Sequence, residues 1–338
     1  MISELIPQHQ PASKVVEEVE QGVRKRYLSI RSPRARAILK VQHIQSRACR
    51  QILDETGFIE ILAPIIGSIT DPGIRGAESV TVPYYGEPYV LMTSMIFHKQ
   101  MAMASIPRVY AFSPNVRLEP PSSQSTGRHL AEFYQLDLEV AHGTCKGMMK
   151  LGDTLLYEVI TTVRKKCKES LETLGRTLPI PPRQLPRITY AEAIEILTTN
   201  EFCIKSCEEI PWEAEHYLSS LFDTPFWITD YPKTARGFYY LRDSNDPEKV
   251  RSMDLLLPEG FGEISSGGER EFTLEGVTER IRTSGQDPRQ YGWYLEMLRE
   301  GIPPSAGFGI GLERLTRYLC GVPHIWECSP FPKVPGIC

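Results

Sequence analysis

Apolar residues recur mostly at intervals of three and four along 33–56, at Ala37, Ile38, Val41, Ile44, Cys49, Ile52 and Leu53. That spacing predicts an amphipathic helix, and Gly57 caps it. The run Phe58-Ile59-Glu60-Ile61-Leu62-Ala63-Pro64-Ile65-Ile66 predicts a strand whose proline suits an edge or an interface. Residues 68–79 read as a loop, and the runs 80–85 and 88–93 around Gly86-Glu87 as a hairpin. A helix over 94–104 and strands over 109–113 and 132–141 follow. Met148, Leu151, Leu155, Val159 and Ile160 line the inner face of a long helix over 146–174. After a proline-rich connector at 179–186, the pattern predicts an inserted helical stretch over 187–222. Strands are expected over 226–229, 253–257 and 262–265, helices over 269–284 and 290–300, and a final strand–helix unit from Gly307 onward.

Runs of strands with helices on one side point to an α+β fold on an antiparallel sheet, not to a Rossmann fold. Residues 1–32 are polar and mixed in charge, with Val15, Val16, Val19 and Val23 at roughly helical spacing. They predict an N-terminal arm packed on a single domain over 33–338.

Composition narrows the class. Hydrophobic residues make up 41% and charged residues 24%, values of a globular chain. A net charge of −4 leans against a dedicated basic module for nucleic acid. No apolar run is long enough to span a membrane, and the N-terminus lacks a signal-peptide pattern, so a cytoplasmic protein is expected. The eight cysteines are scattered. Only Cys203 and Cys207 are close, without a second pair or a nearby histidine, so reduced thiols are expected rather than a zinc site.

Two arginine-bearing segments carry the chemistry. The first is Arg117-Leu118-Glu119, a polar loop, then Gly127-Arg128-His129-Leu130-Ala131-Glu132-Phe133; the second is Gly307-Phe308-Gly309-Ile310-Gly311-Leu312-Glu313-Arg314. Together and in this order they resemble motifs 2 and 3 of the class II aminoacyl-tRNA synthetase catalytic domain. That domain activates a carboxylate by converting ATP to AMP and pyrophosphate. The helix and proline-bearing strand over 33–66 look like its motif 1, which forms the family's dimer interface and implies a homodimer.

The resemblance assigns roles. Arg117 would bridge the α-phosphate and the substrate carboxylate, a task suited to arginine's planar fork. Glu119 would face the adenine side, Arg128 and His129 the γ- and β-phosphates, and Phe133 the adenine ring. Arg314 would clamp ATP from the other face, so Arg117 and Arg314 are the expected catalytic residues. Leu130, Ile264 and Gly311 complete the expected ATP-binding set. Gly307, Gly309 and Gly311 would let backbone approach the ligand.

Between these segments, Gly262-Glu263-Ile264-Ser265-Ser266-Gly267-Gly268-Glu269-Arg270 resembles the aspartyl/asparaginyl subgroup. There the Glu and the second Ser bind magnesium on ATP, which implies Glu263 and Ser266 as ligands; Arg270 would reach the amino acid. Ser94 and Lys99 in Ser94-Met95-Ile96-Phe97-His98-Lys99 match the same subgroup, although its Gln is replaced by Ile96. Asp137 would face the substrate ammonium, and Gly307 would border the amino acid. Lys99 with Arg270 calls for a substrate carboxylate, so aspartate is expected over asparagine. His98 reads as packing. Asp254 reads either as partner of a nearby arginine or as part of the site.

The layout looks most like the archaeal-type asparagine synthetases, tRNA-independent relatives of asparaginyl-tRNA synthetase. Thr93–Gln100, Ser113–Glu119, Pro225–Ile228, Gly262–Glu271 and Pro304–Gly307 carry that likeness. It covers roughly 35–338, and nothing in the first 30 residues reads as an anticodon-binding barrel. The expected function is therefore an AMP-forming ligase that uses ATP and Mg²⁺ to activate aspartate for attack by ammonia, with tRNA not expected as a partner. Two alternatives stay open: a ligase of specialised metabolism joining an aspartate-like acid to another amine, and a synthetase-like paralogue acting on or binding tRNA.

Overall fold

Ser32 starts the first long helix by accepting the N–H of Ala35 on its hydroxyl, with Pro33 in the first turn. The helix ends as expected at Gly57, which adopts φ +79°. Phe58 N–H returns to Leu53 O, and Gly57 N–H to Asp54 O. The structure, a computed structural model, describes residues 19–73, 77–205 and 207–337.

The helices are α1 (Arg26–Ser29), α2 (Pro33–Glu55), α3 (Ile96–Ala102), α4 (Cys145–Lys166), α5 (Lys168–Leu174), α6 (Tyr190–Thr199), α7 (Trp212–Ser220), α8 (Leu274–Thr283), α9 (Gly292–Glu300) and α10 (Leu312–Cys320). An eight-stranded sheet runs in the order β1-β5-β6-β11-β10-β9-β8-β7. Its strands are β1 (Ile59–Glu60), β5 (Arg108–Val116), β6 (Glu132–Ala141), β7 (Arg187–Thr189), β8 (Phe226–Thr229), β9 (Ser252–Leu257), β10 (Gly262–Glu269) and β11 (Ser305–Gly311). Only the outer pairs β1–β5 and β7–β8 are parallel. A small sheet holds β2 (Ile66–Gly67), β4 (Glu87–Leu91) and β3 (Thr81–Tyr84). Tyr85 and Gly86, both at positive φ, form the tight turn between its last two strands.

Alternation along the central strands separates the core from the site. Leu136 and Leu138 of β6 and Ala306, Phe308 and Ile310 of β11 point to one face. There they join Ile38, Val41, Leu53, Leu155, Val159, Leu315 and Leu319 from α2, α4 and α10. The intervening residues Gln135, Asp137, Glu139, Gly307, Gly309 and Gly311 therefore belong to the opposite face. A second cluster beside that face packs Phe97 of α3 with Phe238, Tyr291, Tyr294 and Val277.

Several expected elements change. The run 58–66 forms two short strands in different sheets, because Pro64 has no N–H to donate. The helix over 146–174 breaks at Cys167 into α4 and α5. The stretch 187–222 is not purely helical: residues 187–189 form the edge strand β7, ahead of α6 and α7. Strand β10 runs on through Gly267 and Gly268, where a Cβ would strike the neighbouring strands' backbone. In the arm, Val19 and Val23 pack on Leu130, Ile325, Val334 and Ile337, and Arg26 donates to Ser329 O at 2.9 Å. Val15 and Val16 lie outside the described residues.

Candidate active site

Strand register assembles the floor of the site. Asp254 of β9 pairs with Ser266 of β10, Ser266 with Gly309 of β11, and Gly309 with Asp137 of β6. One row over, Gly268 pairs with Gly307 and Gly307 with Glu139. Two rows of polar side chains thus flank a central strand that presents glycine on this face. A Cβ at Gly307 would overlap the Glu139 carboxylate, so the groove exists only with glycine there.

Four buried charges meet in this groove. Lys99 Nζ lies 2.8 Å from Asp137 Oδ1 and 3.7 Å from Glu139 Oε2. Arg270 donates from Nε and Nη2 to the two oxygens of Glu139 at 3.0 and 3.1 Å, and from Nη2 to Gly307 O at 2.9 Å. Ser113 donates to Asp137 Oδ2 and Ser305 to Glu139 Oε1. Burial opposes the charge on Arg270, but Glu139, Tyr240 and Tyr239 together raise its pKa. The structure thus corrects one premise of the sequence reading. Lys99 and Arg270 are not two unpaired cations awaiting a substrate carboxylate, because Asp137 and Glu139 already balance them. Asp137, expected to face the substrate ammonium, has both oxygens engaged by Lys99 and Ser113.

The arginines expected at ATP lie just beyond the ends of the strands that build this floor. Arg117 follows β5, donates from Nε to Thr93 O at 3.0 Å, and sets its guanidinium 5.2 Å from the Phe133 ring centroid. Phe133, expected beside adenine, thus also faces Arg117. Arg314 on α10 donates to Glu263 O at 3.1 Å and reaches its Oε1 at 3.4 Å. Arg128 is buried and pairs with Glu215 of α7. His129 Nδ1 and Thr126 Oγ1 lie 2.7 Å apart, and Glu119 is half-buried beyond Arg117. Gly311 precedes α10 with the Arg314 side chain against it, and Ser94 Oγ accepts the N–H of Ile96 at 3.3 Å. Leu130 and Ile264 are corrected in part: their side chains pack into apolar clusters, leaving only backbone to face a ligand.

A magnesium site was expected at Glu263 and Ser266. Asp254 stands beside Ser266 in the register and pairs with Arg236, the arginine partner that one sequence reading expected. Burial pushes its carboxyl up to about 6, Arg236 opposing and Glu263 adding to the rise. Its Oδ1 is buried without a hydrogen-bond partner. The donors are two carboxylates and a hydroxyl, oxygen only. Among the described residues no three His, Cys, Asp or Glu form a metal cluster. A partial oxygen shell fits Mg²⁺, which keeps waters and takes phosphate oxygens.

Glu139 belongs to the same ordered pattern as Arg117, Glu119, Arg128, Asp137 and Arg314, but the sequence assigned it no role, although its alternation with Asp137 on β6 was a usable signal. Sequence reasoning left out Glu215 and Tyr240, whose ring lies 5.3 Å from the Arg270 guanidinium. Nothing local marked either residue.

Glu313 joins the two signature segments by accepting the N–H of Tyr134 at 3.1 Å. Burial pushes its carboxyl from 4.5 up to about 7. The folded form therefore holds a proton that the unfolded chain releases, and stability falls as pH rises from 4.5 to 7. The loss is of order 3 kcal/mol. Glu313→Gln is expected to flatten this slope and to exceed the parent in stability at pH 8, by urea titration.

A row of charges over glycine, bracketed by arginines on an antiparallel sheet, is the architecture of class II synthetases. The family model of class II tRNA synthetases (D, K and N) matches residues 18–335, and the chain belongs to this family. It is 36% identical over 318 residues to the asparagine–tRNA ligase of Pyrococcus abyssi, covering 92% of this chain and 71% of that protein. With the aspartate–tRNA(Asp/Asn) ligase of Methanothermobacter thermautotrophicus it shares 33% identity over 325 residues, 96% of this chain and 72% of that one. The asparaginyl-tRNA synthetase of Pyrococcus horikoshii, solved with asparaginyl-adenylate, superposes with a TM-score of 0.88 at 33% identity. That match covers 94% of this chain and 73% of the other. The expectation that tRNA is not a partner is overturned, because relatives aligned across nearly the whole chain are tRNA ligases. No helix among the described residues is long and apolar enough to cross a membrane.

Proposed function

We propose that the chain is an AMP-forming ligase that adenylates aspartate and passes the aspartyl group to tRNA. The observation that carries this reading is the Lys99–Asp137–Glu139–Arg270 cluster on the sheet whose strands β5 and β11 lead into Arg117 and Arg314. The hydrogen bonds of Arg270 run through Nε and Nη2, which leaves Nη1 for a substrate oxygen. Both oxygens of Asp137 and of Glu139 are already engaged by side chains of the pocket. The pocket thus offers donors more readily than acceptors, which favours the side-chain carboxylate of aspartate over the N–H₂ of asparagine.

Arg117 would hold the reacting carboxylate against the α-phosphate, and Arg314 the far end of the triphosphate. Asp254, Glu263 and Ser266 would hold Mg²⁺, which neutralises phosphate charge. No side-chain nucleophile is required. The amidation reading differs in the carboxylate activated, the β-carboxyl in place of the α-carboxyl, and in the acceptor, ammonia in place of tRNA; the names of the relatives favour tRNA.

Pyrophosphate exchange with aspartate or asparagine tests the first step. Mass spectrometry after adding tRNA or ammonium tests the second. Aspartyl-tRNA supports the proposal. Free asparagine with AMP identifies the amidating enzyme, and exchange with asparagine alone refutes the aspartate pocket.

Ile59, Leu62 and Ile65 stand exposed on the motif 1 segment, Leu62 at 97%. A second copy covering them would remove this apolar patch from water. Light scattering is expected to give twice the chain mass of 38.3 kDa, and a mass of one chain refutes this assembly.

A further inference from the structure

Arg128 is fixed on three sides by residues that the signature segments do not contain. Its guanidinium lies 4.4 Å from the Trp212 ring centroid. Its Nη1 pairs with Glu215 Oε1, and its Nη2 reaches Glu263 O at 3.4 Å. Glu215 does a second task with the same oxygen, accepting the N–H of Glu263 at 2.7 Å. Gly262 makes room for this: it sits at φ +71°, and a Cβ there would meet Glu215 Oε1. Arg314 takes the carbonyl of Glu263 from the other side at 3.1 Å. Arg128 Nε remains buried with no hydrogen-bond partner.

We propose that Glu215, on α7, is a positioning residue that aims Arg128 toward the phosphates of ATP and fixes the backbone at Glu263. The inference rests on the ATP site of the proposed function. A guanidinium held by its face and one edge presents its remaining N–H groups in a set direction, and that order is in place before ligand arrives. Glu215 supplies the countercharge that keeps Arg128 in place while no phosphate is near. Through Glu263 it couples the arginines of both signature segments to the carboxylate that would carry Mg²⁺. Trp212 supports the face and excludes water.

The test is calorimetric binding of Mg·ATP and of adenosine to the full chain and to Glu215→Gln, which keeps size and loses charge. The variant is expected to bind Mg·ATP about tenfold more weakly and adenosine with unchanged affinity. An unchanged ATP affinity overturns the proposal. A tighter one does so too, by showing that Glu215 competes with phosphate for Arg128. Parallel loss of both ligands with a lower Tm assigns Glu215 to the fold and also overturns it. Should the variant not fold, Glu215→Asp is read the same way, and failure of both to fold counts against the proposal. A parent chain that binds Mg·ATP but catalyses no exchange sinks the proposed function while leaving this inference to its own result. A parent that binds no ATP sinks both.

Discussion

Arg117→Ala is expected to lower kcat/KM for aspartate-dependent pyrophosphate exchange by about a hundredfold or more, roughly 3 kcal/mol of transition-state stabilisation. Its Nε is spent on Thr93 O at 3.0 Å, which orients the fork and leaves its outer N–H groups available for ligand. Phe133 flanks one face at 5.2 Å. The residue is only half-buried, and the fold draws little else from it, so the Tm should change little. Exchange at near-parental rates in this variant would remove Arg117 from the reacting centre.

Glu139→Gln is expected to produce the largest loss of stability of any conservative change at the site. Glu139 is fully buried and binds Arg270 through both oxygens while lying 3.7 Å from Lys99. Without its charge the pocket holds two cations against Asp137 alone. Breaking a buried pair by neutralising one partner costs about 3–5 kcal/mol, measurable by urea denaturation. The same change has an opposite signature in function. The cation left over favours a substrate carboxylate, so preference for aspartate over asparagine should rise among the molecules that fold. A variant as stable as its parent, with unchanged preference, would show that Glu139 does not balance the pocket.

Both predictions depend on residues whose placement was legible to different degrees. Arg117, Arg128 and Arg314 stood out because their order and spacing resembled a known catalytic domain. Lys99 and Arg270 were recognised in the same way, but the carboxylates that balance them were not recognised as their partners. The reason is that Glu139, on β6, reaches Arg270 at the end of β10 across β11, and pairing between strands is not written locally in the chain. Leu130 and Ile264 were recognisable as neighbours of the site. Their side chains nonetheless turn inward, Ile264 from β10 and Leu130 from the segment before β6.

Elements were legible where local chemistry decides them. The stop at Gly57 follows from a residue acting in place, and the hairpin turn falls at Tyr85-Gly86, one residue before the expected Gly86-Glu87. The break at Cys167 and the split of the strand around Pro64 were not foreseen as to position. Helical periodicity continues across the first, and an apolar run conceals which of two sheets each half of the second joins.

The sequence by itself therefore determined the class: an α+β domain with the arginines and glycines of a class II synthetase, since those depend on residue type and spacing. Only the tertiary structure decided the electrostatics of the pocket, by setting Asp137 and Glu139 beside Lys99 and Arg270. It alone brought Glu215 from the 187–222 stretch onto Arg128 and Glu263. Charges separated by a hundred residues interact through space at a few ångströms, and the distance between them is set by strand register and helix packing, not by their spacing along the chain.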